Sequence, residues 1–502
     1  MLRYSIAFVR FGGATHNVGG KLGSNATFVP CARRMPLRAV DCSLSLICVS
    51  LVMTMLRHLA LVLLLLSAVH VGTAQVRGAQ RLTLKECIRI GIDNSFDLKE
   101  TYASSRAAGA ELTQAFGAYL PSADVSANYS RQLTNLREQF SIVNGVPIVG
   151  QPLPNTYGLN GQMNLTLFNG FRREAQYDAA RNSVEAAAED IRGNRLSIAY
   201  TVSRNYIDVL RKQQILSARE ENLALSKATY ERIAALKENG RATIQQLMSQ
   251  ETELANQEVS VVTAQNDLDV AKATLLSSMS VNPSQNIDID PSSIAGDVTT
   301  TTVETFRSRV GPEPVAIQRA FATRPDISSS QMRVEAATSG ITTAESGYWP
   351  TLTAVGGYTW RNFTIADFDR QGQVYVGLNI RIPVFDQFAT NANIENANLS
   401  LTRQQMALSR LQNDVRTNIR SAYLQLGAAE KGLEITERAL KAALTNFNAV
   451  QERFNVGSAT LLDVQTANNQ LITARVNRVT AIYAYHDAAT FVEFTIGTYG
   501  DQ

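Results

Sequence analysis

Residues 157–170 read YGLNGQMNLTLFNG and residues 374–387 read VYVGLNIRIPVFDQ. In the first stretch Tyr157, Leu159, Gly161, Met163, Leu165 and Leu167 alternate with Gly158, Asn160, Gln162, Asn164 and Thr166. In the second, Val374, Val376, Leu378, Ile380, Ile382 and Val384 fall on the same six places, each 217 residues further on. Successive side chains of a strand point to opposite sides, so a period of two marks a strand with one apolar and one wet face. The same parity in both stretches places the two strands in equivalent surroundings.

The 217-residue displacement extends downstream. It carries Asn169-Gly170 onto Asp386-Gln387, Tyr206 onto Tyr423, Gly240 onto Gly457, and Ala242-Thr243 onto Ala459-Thr460. Upstream the displacement is 229, carrying Ala118-Tyr119-Leu120-Pro121 onto Gly347-Tyr348-Trp349-Pro350 and Asp97 onto Asp326. The difference implies a 12-residue insertion in the first copy between Pro121 and Phe168. A self-match of this length is read as tandem duplication. One repeat lies within residues 75–281 and the other within 315–502, joined by a Pro-, Ser- and Thr-bearing linker at 282–314. Each copy holds a second alternating strand. Ala123, Val125, Ala127 and Tyr129 mark it in the first copy; Leu352, Ala354, Tyr358 and Trp360 mark one face in the second, and Val374 to Val384 the other.

Between the strands and the glycine turns the period changes to seven. Val202, Val209, Leu216, Leu223 and Tyr230 are matched by Ile419, Leu426, Leu433, Leu440 and Phe447. After the turns, Leu247, Leu254, Val261, Leu268 and Leu275 are matched by Val464, Leu471, Arg478, Tyr485 and Val492, with Arg478 the one polar exception. A sustained heptad predicts coiled-coil packing. No proline interrupts Arg172 to Glu238, a helix of about 100 Å at 1.5 Å per residue. The returning helix from Thr243 is shorter, and a helix from Leu98 to Ala118, stacked end to end with it, completes the second column.

Composition bounds the function. A chain of 502 residues exceeds one ordinary hydrophobic core, and 45% hydrophobic with 18% charged residues excludes a disordered chain. The net charge of +3 comes from basic residues before position 75, so no clustered basic face points to nucleic acid. Met55 to Ala74 reads as a secretory signal, with a short charged start, the apolar run Leu59–Val71 and a small-residue cleavage site. Residues 1–54 are read as a non-native or leader extension. Beyond Ala74 only Cys87 and His486 remain of their kinds, and no metal-ligand spacing, phosphate loop or nucleophile elbow is present. No catalytic residue, cofactor or metal is expected.

Four strands cannot close a barrel, and open edges are intolerable in hydrocarbon, so strands that meet lipid require oligomerisation. Trp349 and Trp360 bracket the third strand. At a 45° tilt they stand about 26 Å apart along the membrane normal, matching the aromatic girdles of an outer-membrane barrel.

The duplicated strand-pair and long-helix unit, the Tyr-x-Pro strand starts (Tyr119, Pro121; Tyr348, Pro350), and the turns Asn239-Gly240-Arg241-Ala242-Thr243 and Val456-Gly457-Ser458-Ala459-Thr460 resemble the TolC-like outer membrane factors. The resemblance implies a mainly α chain with a β membrane segment. It implies a homotrimer with a 12-strand β-barrel in the outer membrane, continuous with a 12-helix α-barrel in the periplasm. It further implies a passive exit duct for efflux or type I secretion that works with a periplasmic adaptor and an inner-membrane pump, with 282–314 in a belt around the tunnel. By the same resemblance the tip or gate residues are Gly240, Gly457, Phe454, Asp463 and Thr466. Arg241, Thr243, Ser458 and Thr460 are adaptor contacts. The family pattern has tyrosine at Phe454 and a second acid at Thr466, and its first turn often has Asp at Gln246, so a single Asp463 ring is the most this entrance carries. A periplasmic coiled-coil adaptor is the competing reading, and it predicts one hairpin and no lipid-facing alternation.

Overall fold

The computed structural model describes residues 81–133, 140–143, 146–149 and 155–499, which lie within one compact unit, 78–502. The expected signal and the 1–54 extension lie outside the described residues. The first half runs β1 (Arg81–Leu82), α1 (Leu84–Asn94), α2 (Phe96–Gly117), β2 (Ser122–Arg131), β3 (Phe140–Val143), β4 (Val146–Val149), β5 (Asn155–Phe168), α3 (Arg172–Glu238) and α4 (Ile244–Ser278). Then come β6 (Asp288–Ile289), α5 (Thr300–Val310) and α6 (Glu313–Thr323). The second half runs α7 (Pro325–Glu345), β7 (Thr351–Asn362), β8 (Gly372–Arg381), α8 (Ala389–Asn455) and α9 (Leu461–Ile496). α3 and α8 are each 67 residues long.

The main sheet is antiparallel in the order β2-β5-β7-β8. Its register brings every apolar series to one side. Val125 lies opposite Gly161, Gly161 opposite Tyr358, and Tyr358 opposite Val374; two residues on, Ala123, Met163, Gly356 and Val376 form the next row. The apolar positions of β7 and β8, assigned to separate faces from sequence, therefore share one face, because antiparallel pairing at this register aligns their parity. That face is bare: Val376 is 87% exposed and Val125 77%. The internal register repeats as well. Ser122 pairs with Asn164 in the first half, and displacements of 229 and 217 carry this pair onto Thr351 and Arg381, which are paired in the second.

Below the sheet the helices form a wall of four columns. α2 and α4 pack along successive parts of α3: Asn194 donates to Thr101 near one end (2.7 Å), and Lys212 pairs with Asp267 further along (2.7 Å). α7 and α9 pack along the other flank of α3, through Arg333–Asp190 (2.5 Å) and then Arg204–Asp487 (3.8 Å), and they also pack on α8. The order across the wall is thus α2/α4, α3, α7/α9, α8. Val202, Val209, Leu216, Leu268 and Leu275 are buried in the first half, and Ile419, Leu426, Leu433, Tyr485 and Val492 in the second, as the heptads predict.

The linker is more ordered than its composition suggests. β6 pairs with β1, and Tyr206 donates to the carbonyls of Leu82 (3.2 Å) and Asp290 (2.7 Å), tying the strap to α3. α5 is clamped on the second half by Arg307–Glu430 and Arg309–Glu493, both at 2.5 Å. The polar heptad position is explained here. Arg478 lies against α8 with its guanidinium donating to the Leu433 carbonyl (2.9 Å) and reaching Asp297 of the strap (3.0 Å). Among the described residues no helix is long and apolar enough to cross a membrane.

Candidate functional site at the hairpin tips

Each long hairpin reverses through the same local chemistry. α3 ends with Gly240 at φ 69°, where its N–H donates to Lys237 O (3.0 Å) and Arg241 N–H donates to Leu236 O (2.8 Å). α8 ends with Gly457 at φ 77°, with Gly457 N–H to Phe454 O (3.0 Å) and Ser458 N–H to Arg453 O (2.8 Å). These paired bonds form a Schellman turn, which needs the left-handed conformation that glycine adopts without a Cβ penalty.

The next helix starts immediately after. Thr243 caps α4, accepting from Gln246 N–H (3.2 Å) while Gln246 Oε1 accepts from Thr243 N–H (2.9 Å). Thr460 and Asp463 repeat this box on α9, at 3.2 Å and 2.8 Å, with the Thr460 hydroxyl donating to the same carboxylate oxygen (2.8 Å). Asp463 is thus engaged locally as a cap. The hydrogen bonds from the Thr460 backbone and hydroxyl hold its carboxyl below the usual aspartate range. Gln246, 217 residues earlier, fills the same cap without charge, so the acid-to-amide departure preserves the turn.

Arg241, Thr243, Ser458 and Thr460 are all exposed, as are Asp463 and Thr466. Ser458 is also tied back to its own helix, its hydroxyl donating to Arg453 O (3.1 Å). The Thr466 hydroxyl donates to Leu462 O within α9 (2.8 Å). Phe454 is half-buried, and Arg232 of the first hairpin lies over its ring (5.8 Å to the centroid) while donating to Asn455 Oδ1 (3.0 Å). A cation–aromatic contact thus joins the hairpins where the family pattern has a tyrosine hydroxyl.

Sequence periodicity missed what joins the hairpins behind the tips. Between Leu216 and Ile233 the buried positions of α3 are Asn222 and Ser226, and on the tip side of Ala264 those of α4 are Gln250 and Gln257. Asn468 donates to Asn222 Oδ1 (2.8 Å), and Asn222 donates to Gln257 Oε1 (2.7 Å). Gln465 donates to Gln250 Oε1 (3.0 Å), and Gln250 donates to the Ser226 hydroxyl (3.2 Å). The seam between α3, α4 and α9 is therefore apolar near Leu216 and Leu268, crosses a band of neutral amides behind the tip, and buries Ile233, Leu461 and Val464 nearest the turns. A search restricted to apolar heptads passes over these positions. Buried amides repeating at 250 and 257 were the available signal.

The two tryptophans occupy different settings. Trp349 is half-exposed at the junction of strand and helix, edge-on to Phe168 (6.4 Å) and Phe171 (6.2 Å). Trp360 is buried near the far end of β7, stacked on Phe368 (4.2 Å) with its indole N–H donating to Asp367 O (3.3 Å).

A sheet with one bare apolar face, continued by a wall of helices about 100 Å long that ends in tight polar turns, defines an envelope channel component rather than a soluble globule. The family model described as "Outer membrane efflux protein" matches twice, over residues 88–280 and 316–498, and the chain belongs to that family. It is 25% identical over 390 residues to the outer membrane efflux protein BepC of Brucella suis, covering 77% of this chain and 79% of that protein. It is 23% identical over 331 residues to the outer membrane protein TolC of Vibrio cholerae, covering 65% and 73% respectively. Among solved structures, the outer membrane protein VceC of Vibrio cholerae superposes with a TM-score of 0.69 at 17% identity, over 82% of this chain and 96% of that one.

Proposed function

We propose that three copies of this chain close head to tail into an outer-membrane exit duct, a passive conduit across periplasm and outer membrane. One observation carries the reading: sheet and helix wall are unfinished at the same two ends. Among the described residues β2 and β8 are the free edges of the sheet, and β2 follows α2 while β8 leads into α8. In the wall, α3 is flanked by both columns, whereas among the described residues α8 packs on α7, α9 and the strap helix α6 and meets α3 through Arg232 at the tip, and α2/α4 pack mainly on α3. A second copy placed by one operation satisfies both defects, and a heterologous contact of this kind must close into a ring or run on as a filament. Two copies give eight strands, whose interior side chains fill, so three is the smallest number that leaves a wide lumen.

In this duct the bare face of Val125, Val374 and Val376 meets lipid, with Trp349 and Trp360 at its two margins, and the face of Asn160, Gln162 and Asn379 is wet. The two halves are copies of one ancestral unit, and the 282–314 strap belongs to a belt outside the tunnel. The hairpin tips form the inner entrance, with Gly240, Gly457, Phe454, Asp463 and Thr466 nearest the constriction. Arg241, Thr243, Ser458 and Thr460 face a periplasmic adaptor, and an inner-membrane pump supplies the energy. A periplasmic adaptor would have no use for a lipid-facing sheet of this register. Membrane fractionation tests the reading: the protein is expected to resist salt and alkali and to need detergent for extraction, and release by alkali would refute it.

A further inference from the structure

The junction between strand and helix occurs twice in the chain, but only one of the two is filled. In the first half, Phe168 and Phe171 stand edge-to-face at 5.5 Å and receive Trp349 from the start of β7. Gly170 and Phe171 are both left-handed there, at φ 67° and 63°. Gly170 is buried so closely beneath Trp349 that a Cβ would meet the tryptophan Cβ at 2.5 Å. In the second half, Phe385 and Phe388 repeat the pair at 5.7 Å, and Gln387 and Phe388 are again left-handed at φ 58° and 63°. Here nothing among the described residues covers the rings: Phe385 is 73% and Phe388 69% exposed, and Gln387 is exposed as well. The left-handed region disfavours a residue with a Cβ, so two successive non-glycine residues there hold the bare aromatic pair in a strained pose.

The filled junction identifies the missing occupant. Trp349 enters from the start of β7, the first strand of the second half, and the residue 229 positions earlier, at the start of β2, is Leu120, itself 56% exposed. Leu120 adjoins the free edge β2, while Phe385 and Phe388 adjoin the free edge β8. Within one chain these edges are opposite ends of the sheet, so the Leu120 that reaches Phe388 comes from a second copy. We propose that Phe385 and Phe388 form the socket for Leu120 of a second copy, and that this seating fixes the β8–β2 pairing with Ile382 opposite the second copy's Val125.

The register follows from the pairing of the halves. Leu165 lies opposite Ala354 and Met163 opposite Gly356 in β5–β7, and the same displacements carry these pairs onto Ile382–Val125 and Ile380–Ala127. Phe168–Leu352, beyond the bulge, becomes Phe385–Ala123, three residues along from Leu120. The same displacements convert the β2–β5 register into that of β7–β8. Small-for-large exchange fits too: Leu120 is smaller than Trp349, and the exposed Gln387 replaces the buried Gly170, so the joint between chains needs room that the joint within the chain lacks. The socket rests on the ring closure proposed above but is separable from it.

Disulfide trapping tests it in full-length protein in membranes, in a Cys87→Ser background. Directly opposed Cβ atoms lie about 4.5–5.5 Å apart and diagonal neighbours about 7–8 Å, so only the former come near disulfide reach. Ile382→Cys with Val125→Cys is expected to give oxidant-dependent cross-linked oligomers, and Ile382→Cys with Ala127→Cys or Ala123→Cys to lose them. Equal or stronger trapping of a shifted pair overturns the register. Native gels run in parallel separate the outcomes. An intact oligomer without the Ile382–Val125 cross-link refutes the socket and leaves the duct standing, whereas absence of any oligomer refutes both. A double-mutant cycle of Leu120→Ala and Phe388→Ala on oligomer melting is expected to be non-additive, and strict additivity would show that the two side chains do not meet.

Discussion

Replacing Gly457 by valine isolates the role of the tip turn. Gly457 sits at φ 77°, and a Cβ built there meets nothing within 4 Å. The penalty is therefore backbone strain with no added collision. Placing an L-residue in the left-handed region costs about 1–2 kcal/mol, and β-branched side chains lie at the upper end. With 1.4 kcal/mol a factor of ten, the frayed state of the last α8 turn should become roughly 5–30 times more populated. Fraying breaks the Ser458 N–H bond to Arg453 O (2.8 Å) and exposes the Arg453 peptide. Limited tryptic cleavage after Arg453, read by fragment mass on the assembled protein, should accelerate by that factor, and export should fall. Gly457→Asn should stay near wild type, because asparagine tolerates this conformation. Equal cleavage and export in the valine variant would refute the reasoning, as would an asparagine variant as damaged as the valine one.

The amide band makes a prediction of opposite signs. Asn222→Leu leaves the Gln257 carbonyl and the Asn468 amide without their partner and should destabilise the assembly by about 1–3 kcal/mol, whereas leucine at 222, 257 and 468 together should be neutral or stabilising. Thermal dissociation of the oligomer measures both, and the triple variant should export less because an apolar seam resists parting at the tip. Asp463 links the same end to pH. Its carboxyl is held below the usual aspartate range by the Thr460 cap, so the folded turn binds the proton more weakly than the unfolded chain. The cap's contribution is complete above the ordinary aspartate pKa and is lost as pH falls through the lowered one. Cleavage after Arg453 should therefore rise in acid for wild type, while Asp463→Asn, which keeps the acceptor oxygen, should show no such rise.

Much of the architecture was legible because it rests on two strict periods. Alternation at Val374–Val384 and the uninterrupted run from Arg172 to Glu238 each identify an element whose ends the structure places at those residues or close to them. The reversals at Gly240 and Gly457 were legible locally, whereas Thr243 and Thr460, read from sequence as adaptor contacts, prove in the structure to be helix caps completed by Gln246 and Asp463. What stayed hidden depends on contacts distant in sequence. The shared side of β7 and β8 is set by cross-strand register rather than parity alone. Arg478 breaks the heptad because Asp297 of the strap, far away in the chain, receives it. Trp360 reads as an interfacial aromatic, yet the loop after β7 folds Phe368 over it. Phe171 and Phe388, left-handed without being glycine, carry no sequence signal for that conformation.

Three-fold closure is the claim on which the duct depends, and single-particle imaging of the detergent-extracted chain addresses it directly. End views should show a three-fold ring around an open centre, and side views a cylinder about 100 Å long below the barrel, the length of one 67-residue helix. Particles holding one chain, or rings of any other copy number, would contradict it.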